Sequence, residues 1–84
     1  MRIQILTPEA TVFDGEAESV LVPGAAGSFE VLKGHAPILS SLTAGDARVI
    51  ADKKELHFKV GAGFFEFSHE NGVLLADSAE KKHG

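Results

Sequence analysis

Apolar and polar residues alternate in short bursts along this chain, and turn-forming residues interrupt each burst before a helical period could repeat. In Glu55-Leu56-His57-Phe58-Lys59-Val60 every second residue is apolar, so a strand built from it has one dry face and one wet face. Ile3 and Ile5 alternate with Arg2 and Gln4 in the same way. Phe65 and Phe67 share one face of a third segment, which leaves Phe64 and Glu66 on the other. Thr11-Val12-Phe13, Ser19-Val20-Leu21-Val22, Phe29-Glu30-Val31-Leu32, residues 46–51 and Val73-Leu74-Leu75-Ala76 complete a nearly unbroken series of strands.

The breaks recur at Pro8, Gly15, Pro23-Gly24, 34–37, Gly45, Asp52-Lys53, 61–63 and Asn71-Gly72. Spacing of about eight or nine residues suits strands of about five joined by tight turns, the pattern of a β-sandwich or barrel. Asp52-Lys53-Lys54 reads as a hairpin turn between 46–51 and 55–60, and His69-Glu70-Asn71-Gly72 as a second turn, with Asn71-Gly72 its strong hairpin signal. A helix over 46–60 fails because a face shared by Ala47, Ile50 and Ala51 meets Lys54 one turn later. The expected fold is all-β, with one domain over 1–78. Residues 79–84 are expected to fray, because Asp77-Ser78-Ala79-Glu80 resembles a capping box with only one turn of chain behind it.

Composition then narrows the function. With 84 residues there is room for one domain, and the 44% hydrophobic content is that of a folded one. A net charge of −4 with few clustered lysines disfavours nucleic acid. No stretch reaches the eighteen or so apolar residues of a membrane-spanning helix, so direct membrane insertion is not expected. Four histidines, at 35, 57, 69 and 83, lack the spacing of a metal site, and His57 falls on a wet strand face. Ser40 and Ser41 follow His35 closely without an oriented triad. Glu16 with Glu18, and Glu66 with Glu70, read as exposed acids rather than an acid–base pair. Gly24-x-x-Gly27 lacks the Lys-Ser/Thr of a phosphate loop, and Gly61-x-Gly63 lacks the third glycine of a dinucleotide fingerprint. Phe64, the small Ala25-Ala26 tip and Leu39-Ser40-Ser41-Leu42 leave surface better suited to docking than to catalysis.

Several segments in order resemble the amino-terminal domain of the epsilon subunit of F-type ATP synthases. They are Ile5-Leu6-Thr7-Pro8-Glu9, Val12-Phe13-Asp14-Gly15, Val20-Leu21-Val22-Pro23-Gly24, Gly27-Ser28-Phe29, Gly34-His35-Ala36-Pro37, Leu42-x-x-Gly45, Val60-Gly61-Ala62-Gly63-Phe64-Phe65-Glu66 and 73–79. The resemblance implies a flattened β-sandwich of about ten short strands in two sheets. It also implies a non-catalytic rotor subunit of the central stalk, which couples the gamma subunit to the c-ring during proton-driven ATP synthesis. In a bacterium that places it at the cytoplasmic face of the inner membrane, held there through the complex. By position, Gly24, Ala25, Ala26, Gly27 and Ser28 resemble the c-ring-facing loop, with Ser28 where some relatives carry an acid. Thr7, His35 and Ser40 match gamma-facing positions. Many members continue into a two-helix domain that restrains ATP hydrolysis and in some species binds ATP. This chain ends near the start of that region, as a trimmed piece or a short member would, so neither a cofactor nor ATP binding is expected of it. The readings left beside this one are a small β-sandwich enzyme using His35 and a carbohydrate- or peptide-binding sandwich.

Overall fold

The structure, a computed structural model, describes residues 1–82. Ten strands follow one another: β1 (Arg2–Leu6), β2 (Thr11–Glu16), β3 (Ser19–Val22), β4 (Phe29–Leu32), β5 (Ile38–Leu42), β6 (Gly45–Ala51), β7 (Lys54–Val60), β8 (Gly63–Ser68), β9 (Asn71–Ala76) and β10 (Ala79–Lys82). They form two five-stranded sheets, in the orders β2-β1-β9-β8-β5 and β10-β7-β6-β3-β4. Every neighbouring pair is antiparallel except β1 with β9, which run parallel with Ile5 beside Leu74.

Alternation decides which side chains meet between the sheets. Ile3, Ile5, Phe65, Phe67 and Leu74 from the first sheet pack against Val20, Val22, Val31, Val49, Phe58 and Val60 from the second, all fully buried. Two edge-on aromatic pairs bridge the layers. Phe13 meets Phe58 at 6.0 Å between ring centres, and Phe29 meets Phe65 at 6.3 Å. Such pairs contribute about 0.5–1.5 kcal/mol each beyond the area they bury.

The β6–β7 hairpin turns at Asp52-Lys53 as the sequence predicts, with both residues at positive φ (53° and 62°). Lys53 donates its backbone N–H to a Glu18 carboxylate oxygen at 2.9 Å, which fastens the tip to the β2–β3 connection. The β8–β9 hairpin turns within the expected 69–72 stretch, but at its first two residues and not at the Asn71-Gly72 pair. Its turn is His69-Glu70, at φ 51° and 60°, while Asn71 and Gly72 are already in β9, paired with Ser68 and Phe67. The core sets this register, since it places Phe65 opposite Leu74; a turn centred on Asn71-Gly72 would set Phe65 opposite Ser78. Gly72 serves the core instead, because a Cβ there would lie 2.8 Å from Ile3 Cδ1 and 3.1 Å from the Phe65 ring.

A second correction concerns the tail. Residues 79–82 neither fray nor start a helix; they form β10 and pair with His57–Val60 of β7. One helical turn gains little alone, whereas the open edge of β7 supplies a ready ladder of backbone partners. His83, expected in that tail, lies outside the described residues.

Candidate docking surfaces

Residues 23–28 form a tight loop stitched to the end of β5. Ala25 N–H donates to Ser41 O and Thr43 N–H to Pro23 O, both at 2.9 Å, and Gly27 N–H closes the turn onto Gly24 O at 2.9 Å. Gly24 is buried, and a Cβ on it would sit 2.6 Å from the Gly27 carbonyl oxygen and 2.8 Å from the Phe29 ring. Gly27 adopts φ 129°, a backbone state that side chains disfavour. The Ala25, Ala26, Gly27 and Ser28 tip is exposed and uncharged, on a base held by backbone bonds.

His35 lies beyond the other end of β5. Its turn is closed by His35 N–H to Leu32 O at 3.0 Å and by Gly34 N–H to a Glu70 carboxylate oxygen at 2.7 Å. The half-buried ring sets its edge on Phe67, with Nδ1 2.6 Å from Ala36 O. Thr7 stands at the same end as the 23–28 loop, where its hydroxyl closes its own turn with Ala10. Ser40 sits mid-strand on the inward side of β5, opposite Phe65, and donates to Ser41 O at 3.0 Å. Thr7, His35 and Ser40 are therefore not gathered into one cluster. Among the described residues, His35 and Ser40 share no hydrogen bond, so a nucleophile–base pair is not assembled there.

The outer faces of the sheets differ sharply. On the second sheet, outward side chains pair ionically across strands, Arg48 with Glu30 at 2.8 Å and Lys82 with Asp46 at 3.1 Å, while along β7 the His57 ring lies 3.2 Å from a Glu55 carboxylate oxygen. On the first sheet, register aligns Leu6, Leu75 and Phe64 in one row and Val73, Glu66 and Leu39 in the next. Leu39, Phe64 and Leu75 are 70%, 56% and 51% exposed. Apart from Glu66, charge on this face is gathered toward β2, where Arg2 grips both oxygens of Asp14 at 2.8 and 2.9 Å. The Arg2 hydrogen bonds hold the Asp14 carboxyl below the usual aspartate range, and the pairing raises the Arg2 guanidinium in turn.

A two-sheet body with one apolar outer face and a pinned glycine loop fits a known profile. The family described as "ATP synthase, Delta/Epsilon chain, beta-sandwich domain" matches residues 1–82. The chain belongs to that family. Its sequence is 42% identical to the ATP synthase epsilon chain of Chlorobium limicola, over 90% of this chain and 88% of the relative. It is 37% identical to the epsilon chain of Synechococcus elongatus, where it covers 96% of itself but 59% of the relative. In fold it resembles a chain of the Euglena gracilis mitochondrial ATP synthase, with TM-score 0.86 at 16% identity over 94% of this chain and 51% of the other. A chain of the Tetrahymena thermophila central stalk and c-ring assembly gives 0.80 at 10% identity, over 93% of this chain and 63% of that one. The delta/epsilon family supplies a non-catalytic subunit of the membrane-associated ATP synthase complex.

Within this delta/epsilon sandwich the sequence pointed to Phe64, with Glu66 on the same face, and to the Leu39 stretch, but missed Leu6, Val73 and Leu75. One signal was available. Val73-Leu74-Leu75-Ala76 is apolar without alternation, the mark of a strand covered on both faces.

Proposed function

We propose that the outer face of the first sheet docks on the gamma subunit of the ATP synthase central stalk, while the 23–28 loop addresses the c-ring. In this reading the domain is a non-catalytic rotor part that joins the shaft to the ring, at the cytoplasmic face of the inner membrane in a bacterial host. The observation that carries it is the unpartnered apolar surface at Leu39, Phe64 and Leu75, set against an opposite face that carries ion pairs across its strands and, of the large exposed apolar side chains, only Leu32. A contiguous apolar patch on a small body marks a protein contact. Gly24, Ala25, Ala26, Gly27 and Ser28 suit close approach to a second partner, since their tip is small and its base is fixed. Within this arrangement His35 and Thr7 would lie at the two ends of the gamma contact, and Ser40 would shape the edge strand between them.

Binding of the purified gamma subunit tests this reading. Phe64→Ser and Leu75→Ser should each weaken the complex by about tenfold or more, the scale of a buried anchor at an interface. Their melting temperatures should stay close to the parent's, because both side chains already face water. Unaltered affinity in both variants, or a parent chain that never associates with gamma, would remove the docking face.

A further inference from the structure

We infer that the gamma-facing surface is built to receive a cationic side chain, with Glu66 as its receptor. The inference rests on the docking reading above and adds the chemistry of the contact. Glu66 sits mid-strand in β8, flanked across the sheet by Leu39 and Val73 and along its strand by Phe64 and Ser68. It is the one charged side chain in the apolar part of this face. The strands β5, β8 and β9 carry no lysine or arginine, and the sheet's single arginine, Arg2, is committed to Asp14.

Several other acids of this chain have partners within it. Asp14, Glu30 and Asp46 pair with Arg2, Arg48 and Lys82, while Glu18 and Glu70 accept backbone N–H groups. Among the described residues, no hydrogen bond or ion pair uses the Glu66 carboxylate. While the face is open, water solvates it. Once a partner covers Leu39, Phe64 and Leu75, that water is expelled, and a carboxylate stranded among apolar groups strongly opposes association. A base supplied by the partner turns this opposition into register and specificity.

The same reasoning excludes a second copy of this chain, since face-to-face pairing would bury two Glu66 carboxylates against surfaces without a base. A shallow depression of about 240 Å³ opens beside Glu66, between Pro37, Ile38, Leu39, Phe67 and Ser68. It has room for the aliphatic stem of a lysine or arginine lying over apolar walls, its charged head on the carboxylate.

The test compares gamma binding by the parent chain, Glu66→Gln and Glu66→Lys at about 50 mM and about 500 mM salt, a range over which exposed charges become screened. Glu66→Gln should weaken binding by about tenfold at low salt, with Glu66→Lys weaker still and the gap narrowing at high salt. Changing the opposing gamma base to Glu should restore Glu66→Lys. Parent-like affinity of Glu66→Gln at low salt, or failure of the opposing Glu to restore Glu66→Lys, overturns the inference. If Leu75→Ser abolishes binding while Glu66→Gln does not, the docking face stands and the cation falls. A parent chain that fails to bind gamma ends both.

Discussion

The Arg2–Asp14 pair ties β1 to β2 on the outer face of the first sheet. Arg2 holds Asp14 with two parallel hydrogen bonds, and Gln4 adds a longer one at 3.5 Å. Because the Asp14 carboxyl is held below its ordinary value in the folded chain, its pairing stabilises the fold above the unfolded aspartate range. That contribution disappears as pH falls through the lowered folded value. Asp14→Asn should therefore be slightly less stable than the parent near neutrality. The difference should shrink toward zero on acidification, followed by denaturant midpoints across pH 7 to 2. Both side chains are well exposed, so the effect is small. A gap that persists at the acid end would mean that the pair acts through shape rather than charge.

At the level of elements, alternation located strands reliably because the core reads only every second residue. Leu56, Phe58 and Val60 face inward as the pattern requires, and Glu55, His57 and Lys59 face water. Turn chemistry was a poorer guide. Asn71-Gly72 is the stronger turn signal in isolation, yet the chain turns at His69-Glu70, since pairing Phe65 with Leu74 outweighs local preference. The last strand was illegible for a related reason: its four residues have no apolar rhythm and borrow their order from the edge of β7. The Asp52-Lys53 turn holds two non-glycine residues at positive φ, a left-handed state that costs roughly 1 kcal/mol per residue. Replacing them with Asn-Gly should raise stability by about 1 kcal/mol, measured by chemical denaturation, because that dipeptide adopts the turn with less strain. A loss of stability would show that the Asp52 or Lys53 side chain holds more than the turn.

Across the whole molecule, extents of 27 × 26 × 22 Å enclose a close-packed body whose candidate contacts lie on different sides. The 23–28 loop joins the end of β5 and the His35 turn lies beyond its start, separated by roughly 13 Å of extended strand. Such a body transmits force because its interior yields little. A photo-crosslinker at Ser28 should capture a membrane-sector subunit, and one at Leu75 should capture gamma, within the same assembled complex. Both probes landing on one neighbour would contradict the two-sided arrangement. The loop was visible in the sequence because glycine and proline mark it. The apolar face was only partly visible, because its rows form from β1, the β8–β9 hairpin and β5, three pieces distant in sequence.

The parallel partnership of β1 with β9 ties the first residues of the chain to nearly the last. Strand β1 has only β2 as a companion until residue 76 has been made, so the two layers cannot close around Ile3 and Ile5 before β9 has emerged. A nascent chain halted in β8 would leave those isoleucines without their neighbour Leu74, open to chaperones and proteases. Long-range pairing of this kind delays folding beyond what the number of residues in the sandwich would suggest.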